Sequence, residues 1–329
     1  MTTSSPVRFA TIGFGIMGER LLRAALAHDS AARVVSGAWD PSAEAMARLQ
    51  RELPQVRAFA TLDELLAASD AVHIASPPLF HLGQLEAATD AGVAALCEKP
   101  LAVDVAAAQA TLQRVRAKGG RAAVNFPFTS SFGVDQISEW RASGAVGTPQ
   151  RLDIEVGFAA WPRPWQMAAA SWLSKRADGG FTREVVSHFL FLTLRQLGPI
   201  TLKRAFVSYP LGDAAETAVS AELEAAGLPV TLSGKVGSTD KPDHNLWTLT
   251  GARGQVRLRD WAISEQLQLD GKWAAPASPK SNEEMRPLVL KRQLEKLIAM
   301  TRGQPHTLAT LDEALTVQTL VEAILAANT

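Results

Sequence analysis

Four groups of residues in this chain have types and spacings suited to chemistry. The first is Gly13-Phe14-Gly15-Ile16-Met17-Gly18, a G-x-G-x-x-G run that directly follows the apolar stretch Phe9 to Ile12. In such a run the first glycine permits a tight turn, the second lets backbone approach a pyrophosphate, and the third lets helix and strand pack closely. The first N–H groups of the following helix, from Ile16 and Met17 onward, then face the phosphates. Asp40 closes the next apolar run, Val34 to Trp39, 22 residues after Gly18. At that spacing a carboxylate accepts hydrogen bonds from an adenosine ribose and repels a 2′-phosphate, so NAD(H) is favoured and NADP(H) is the alternative. The other reading of these residues is a glycine turn without a ligand, with Asp40 opening a helix before Pro41.

The second group lies just past apolar runs that read as strands, where ligands bind in open α/β sheets. Ser76-Pro77-Pro78, with His81 close behind, would hold rigid backbone against a cofactor ring or would simply stop a strand. In Glu98-Lys99-Pro100, the lysine held by its proline would project an ammonium donor into the cofactor crevice, or would lie in a surface loop. The third group is Glu184 and His188, spaced i, i+4 on one face of a predicted helix that is otherwise Val185, Val186, Phe189, Leu190, Phe191 and Leu192. Two ionisable groups in such surroundings are costly unless they pair or serve a site. A carboxylate beside an imidazole orients the ring and favours its protonated form, as an acid/base requires; the alternative is a solvated pair, which Arg195 on nearly the same face keeps open. The fourth group is Trp161-Pro162-Arg163-Pro164-Trp165, which offers flat faces and a guanidinium donor to a sugar ring, or serves as loop packing or a subunit contact.

The elements that must position these groups differ between the two halves. From Val7 to about Phe126, short apolar runs alternate with Ala/Leu-rich segments, the rhythm of βαβ units. Strands are predicted at Val7 to Ile12, Arg33 to Trp39, a short Val56 to Phe59, Ala71 to Ala75, Ala94 to Cys97 and Ala122 to Phe126. Continuous apolar strands of this kind suit a parallel sheet covered on both faces. After Phe126 the period changes to alternation, at Arg151 to Phe158, Leu202 to Tyr209, Val219 to Leu223, Val230 to Val236, Leu246 to Thr250, Gln255 to Leu258 and Ile263 to Leu269. One long helix is predicted from Phe181 to Leu197, and two more fill Arg286 to Ala327. The expected fold is therefore α/β, with an N-terminal Rossmann doubly wound parallel sheet over residues 1–123. A C-terminal α/β domain over residues 124–329 is expected to carry a mostly antiparallel, open-faced sheet.

With 329 residues, the chain is long enough for two cores, and its 33 basic and 33 acidic side chains give no reason to expect a nucleic-acid or membrane partner. A small-molecule substrate fits better. The single cysteine, Cys97, excludes an internal disulfide framework and a cysteine-rich metal site and reads as a core residue. A polar start without a signal-peptide layout, and no stretch long enough to span a bilayer, lead to the expectation of a cytoplasmic protein without a bound metal.

Taken as an ordered set, these features resemble the glucose-fructose oxidoreductase / inositol dehydrogenase / MocA (Gfo/Idh/MocA) family of NAD(P)-dependent oxidoreductases. The set is Gly13 to Gly18, Ser76-Pro77-Pro78 with His81, Glu98-Lys99-Pro100, Trp172 leading to Gly179-Gly180, Glu184 with Ser187-His188, and Gly251-Ala252-Arg253-Gly254. The resemblance implies that Lys99, Glu184 and His188 are catalytic and that the open sheet pairs subunits into a homodimer or homotetramer. It also implies hydride transfer between nicotinamide and a secondary alcohol or ketone of a sugar, inositol or related polyol. The cofactor would meet Gly13, Gly15, Ile16, Met17, Gly18, Asp40, Ser76, Pro77, Pro78, His81, Glu98 and Lys99. The substrate would meet Lys99, Asn125, Trp161, Arg163, Trp165, Glu184 and His188. The chain departs from the family in having Glu184 where aspartate is usual, Val186 and Phe181 where glycines are usual, and no arginine after Asn125 in Asn125-Phe126-Pro127-Phe128-Thr129. The alternatives are a reductase of an imine or other non-sugar acceptor, and a non-catalytic sensor that binds the cofactor.

Overall fold

The computed structural model describes residues 5–27, 32–276 and 280–327, so the polar start at Met1 to Ser4 lies outside the described residues. The chain forms two compact units, one of residues 1–129 with 290–315 and the other of residues 130–289 with 316–329. The division is therefore not a single cut near residue 123, because a C-terminal segment returns to the first unit. Its apolar residues explain the return. Leu290, Leu294, Leu297, Ile298 and Leu308 are buried in one cluster with Phe9, Leu21, Ala71 and Leu96, where they leave water together.

The first unit is built on a parallel sheet of β1 (Val7–Ile12), β2 (Arg33–Trp39), β3 (Ala71–Ile74), β4 (Ala94–Cys97) and β5 (Ala122–Val124). The order is β2-β1-β3-β4-β5, and with the parallel bridge of Ala58 to Ala38 outside β2 it is Rossmann-like, the winding order turning back between β1 and β3. Strands β3 and β4 are buried along their whole length, as continuous apolar strands covered on both faces should be. The short strand expected at Val56 to Phe59 is only a bridge between Ala38 and Ala58. Beyond β5, Val124 N–H donates to Ala309 O at 2.9 Å, so the returning segment also closes the sheet edge.

The second unit carries an eight-stranded sheet of β6 (Pro149–Phe158), β7 (Ile200–Ser208), β8 (Ala218–Ala225), β9 (Leu228–Val236), β10 (His244–Gly251), β11 (Gln255–Arg259), β12 (Ile263–Leu267) and β13 (Trp273–Ala274). All neighbours are antiparallel except β6 and β9. One face is covered by the helix Ser187–Leu197. Trp247 of β10 is fully buried, and its indole N–H donates to Thr193 of that helix at 2.9 Å. The opposite face is polar and exposed at Glu155, Ser220, Glu222, Thr231, Ser233 and Lys235. Among the described residues no helix is long and apolar enough to cross a membrane.

Candidate functional site

Each glycine of the G-x-G-x-x-G run has a different reason to be glycine. Gly13 has φ +92, and a Cβ there would meet Ser76 N at 2.8 Å. A Cβ on Gly18 would sit 1.9 Å from the Gly13 carbonyl oxygen. Packing within the protein therefore demands both. Around Gly15 no protein atom lies within 4 Å of where a Cβ would be. Its side opens at the first turn of the helix Ile16–Ala27, where N–H groups lack intrahelical acceptors. These residues fit a pyrophosphate, because the bare face is placed where a ligand's backbone approach needs it.

Asp40 accepts from Phe14 N–H at 2.8 Å through Oδ2 and from Ser42 N–H at 2.8 Å through Oδ1, so it ties the glycine turn to the end of β2. A carboxylate offers about four lone-pair sites, so these two bonds leave capacity for a ribose. On the other side of the turn, Arg48 donates to Phe14 O at 2.5 Å, pairs with Glu19, and lies 4.4 Å over the Phe14 ring. Nothing in the spacing of the sequence singles out this arginine. The helix Ala43–Glu52 brings it to the turn.

Beyond β3, β4 and β5, several of the residues expected at ligands bond with one another. Buried Glu98 contacts His73 Nε2 at 2.9 Å and accepts from Asn125 Nδ2 at 2.6 Å. Asn125 Oδ1 accepts from Gln293 Nε2 at 2.7 Å, and Gln293 Oε1 accepts from Thr129 at 3.0 Å. Glu98 and Asn125, expected at cofactor and substrate respectively, are thus members of a largely buried chain of bonds that runs from His73 to Thr129. A buried carboxylate is tolerable only when bonded in this way. Burial pushes the Glu98 pKa up, but the His73 bond and charge, the Asn125 bond and the nearby Lys99 charge outweigh it and hold the carboxyl below its ordinary range. Burial pushes the neighbouring Cys97 thiol up.

His81, expected at the cofactor, faces a backbone carbonyl with each ring nitrogen. It is 1% exposed, with Nδ1 2.9 Å from Pro100 O and Nε2 2.8 Å from Ser76 O. The ring ties the loop after β3 to the loop after β4. Burial pushes its pKa down, against the pull of both carbonyls. Ser76 donates its hydroxyl to Gln84 at 2.6 Å, Pro77 caps and Pro78 begins a short 3₁₀ turn, and half-buried Lys99 follows Glu98. The result is a rigid frame around the base of Lys99, built from residues whose own polar groups are already engaged.

In the second unit, the expected single helix Phe181 to Leu197 is a π-helical turn at Thr182–Val186 that leads into the α-helix Ser187–Leu197. The α-helical angle assumed for the spacing of Glu184 and His188 does not hold across such a turn, which is a common marker of functional positions. Gly179-Gly180 make room for its anchor. A Cβ on Gly180, at φ +94, would lie 2.1 Å from Glu216 Oε2, while Glu216 Oε1 accepts from Thr182 N–H at 2.7 Å. Arg183 forks onto Glu322 at 2.8 and 2.7 Å and fixes the turn from the other side.

Glu184 Oε1 accepts from Gln166 Nε2 at 3.1 Å and lies 4.0 Å from Arg163. Arg163, expected as a donor to substrate, is 4% exposed and donates to Asp243 at 2.6 Å and Gln166 at 2.8 Å. Its guanidinium lies 4.7 Å from the Trp165 ring. Arg163 is therefore the hub that orders Trp165, Gln166 and Glu184. Trp161 donates its indole N–H to Leu173 O at 3.0 Å and packs on Phe158 and Phe181, so it is part of the wall. Trp165 keeps a partly exposed face, 37% accessible. His188 is buried, and its ring meets that of Trp261 at 5.3 Å.

Sequence reasoning did not find Arg48, His73, Gln166, Asp243, Trp261 or Gln293. The one available signal was His73, a histidine inside the apolar run Ala71 to Ile74. Among the described residues no three His, Cys, Asp or Glu side chains converge as a metal site.

Residues 7–126 match the model of an oxidoreductase family with an NAD-binding Rossmann fold, GFO_IDH_MocA. A UDP-N-acetylglucosamine 3-dehydrogenase from Acidithiobacillus ferrooxidans is 41% identical over 78 residues, 24% of this chain and 25% of its own length. An inositol 2-dehydrogenase from Leifsonia xyli subsp. xyli is 40% identical over 120 residues, 34% of this chain and 33% of its own. The matched stretches thus span a quarter to a third of these relatives. The structure of the WlbA dehydrogenase from Bordetella pertussis, in complex with NADH and UDP-GlcNAcA, is similar at a TM-score of 0.82 and 20% identity, covering 99% of this chain and 96% of that one. At that identity the likeness is one of fold.

Proposed function

We propose, from the match of residues 7–126 to the model of the Gfo/Idh/MocA oxidoreductase family, that the chain transfers hydride between a nicotinamide cofactor and a secondary alcohol or ketone of a sugar, inositol or related polyol. The observation that carries this reading is Gly15, the one glycine of its run that no protein contact requires. When bound, the cofactor supplies the hydride donor or acceptor at the nicotinamide ring. Backbone N–H groups at Ile16 and Met17 hold its phosphates, and Asp40 receives its ribose and selects NAD(H) over NADP(H). Glu19 offsets the charge of Arg48, so the preference rests on Asp40.

Lys99 donates a hydrogen bond to the reacting oxygen and stabilises negative charge as it develops. His188 exchanges the proton of that oxygen. Glu184, held by Gln166 and Arg163, orients His188, and Trp165 offers a flat face to a sugar ring. A homodimer or homotetramer formed through the uncovered sheet face completes the proposal; light scattering that shows a monomer at working concentration refutes that part.

The deciding experiment follows NADH absorbance with a panel of polyols, ketoses and imines. Turnover on polyols or ketoses supports the reading, and turnover on imines alone replaces it with the imine reductase. Tight NADH binding without any turnover replaces it with the sensor. Dissociation constants for NADH and NADPH test the Asp40 assignment, and a tighter NADPH complex contradicts it.

A further inference from the structure

The hairpin tip joining β11 to β12 holds backbone that its residues do not favour. Asp260 and Trp261 both take positive φ, 47° and 72°. Ala262 N–H donates to Asp260 O at 2.9 Å and to Arg259 O at 3.3 Å, so a γ-turn centred on Trp261 sits within a four-residue turn whose two central residues both take positive φ. A γ-turn with positive central φ is rare and strained, and a bulky residue with a full Cβ is an outlier there. Asp-Gly would suit such a tip far better.

The surroundings impose this conformation from several directions. Asp260 Oδ1 contacts His244 Nδ1 at 2.6 Å and accepts from Asn245 N–H at 3.2 Å. Asp260 N–H donates to Asn245 O at 2.9 Å, so both ends of the residue are pinned to β10. Arg259 lies 3.4 Å and Lys241 3.8 Å from Oδ2 of the same carboxylate. Strain held this firmly collects at functional sites rather than in idle loops.

The strained turn delivers the indole to a definite place. Its ring centroid lies 5.3 Å from that of His188 at an interplanar angle of 82°, and 5.3 Å from that of Phe189 at 42°. The Arg163 guanidinium approaches the same indole at 6.0 Å. An edge-to-face contact at that separation is the favoured arrangement for two such rings. We propose that Trp261 is a positioning residue for His188, its indole bracing the imidazole and its γ-turn maintained against backbone preference to keep the brace in place. The proposal rests on the reading of His188 as the proton-exchanging group. It adds a residue that no motif of the sequence marks.

The test compares W261A, W261G, W261F and H188Q with wild type, using the full chain with carbon-labelled histidine rings. Removing the indole as alanine or as glycine deletes the same contact, so the difference between those two variants reads the strain of a Cβ at positive φ less the extra unfolded-state entropy of glycine. W261G is expected to melt above W261A; W261A melting at or above W261G overturns the strained turn. The His188 ring signal, identified by its loss in H188Q, is expected to move in both W261A and W261G while His73 and His81 keep theirs. An unmoved His188 signal overturns the brace. On a substrate found with the panel, kcat is expected to fall about tenfold or more in both variants. NADH affinity is expected to hold and W261F to recover most of the loss, whereas wild-type kcat in W261G overturns the role. Unchanged turnover in H188Q overturns the premise about His188, and is distinguishable because the melting and ring-signal results do not depend on activity.

Discussion

The strand ends of the first unit and the π-turn of the second both gather carboxylate, imidazole and amide groups, but they hold them by different means. At β3, β4 and β5, ordinary strand geometry brings His73, Glu98 and Asn125 side by side, and Gln293 closes the chain of bonds. In the second unit the backbone itself is irregular. A π-turn carries Glu184, two glycines admit Glu216, and a γ-turn carries Trp261. The first unit's polar network thus lies around the base of Lys99, while the second unit places groups by backbone irregularity.

The contrast breaks most sharply on Lys99. Lys99→Met is expected to lower turnover by roughly 10² to 10⁴-fold with NADH binding retained, measured as initial rates on a panel substrate; a wild-type rate would mean that the network supports nothing catalytic. Gly18→Ala comes next. Its Cβ would meet backbone, the Gly13 carbonyl, at 1.9 Å, so the first unit is expected to fold poorly or to melt far lower in calorimetry.

Gln293→Leu leaves the Asn125 carbonyl and the Thr129 hydroxyl without their amide partner. A loss of about 1 to 3 kcal/mol in urea unfolding is expected, and an unchanged midpoint would show the chain of bonds to be dispensable. The smallest effect is on acid stability. The folded-state pKa of Glu98 is lowered, so its contribution is full above the unfolded value of about 4.3 and is lost as pH falls through the folded value. Glu98→Gln is expected to flatten that acid limb in pH-dependent melting, and an identical limb would remove Glu98 as its source.

Much of the first unit was legible because parallel, doubly covered strands leave continuous apolar runs and the glycine turn leaves a fixed spacing. Both sheets follow from the change of period after Phe126. The buried network was not legible, because the partnership of Glu98 with His73 depends on strand register and that of Asn125 with Gln293 on a return of the chain from 168 residues away. Arg163 reads as an exposed donor between two prolines until Asp243 and Gln166 are seen to engage it. The π-turn and the γ-turn leave no periodic signature, so Glu184 was assigned an α-helical angle and Trp261 was missed altogether.

The proposed dinucleotide cradle of the first unit turns on Gly15, around which no neighbouring group lies within 4 Å of a Cβ position. NADH fluorescence titration of wild type and Gly15→Ala, with melting curves of both, tests it most directly. The account predicts saturable binding in wild type and an affinity at least about tenfold weaker in Gly15→Ala with an unchanged melting temperature. Equal affinity in the two proteins, or no binding in either, would contradict it.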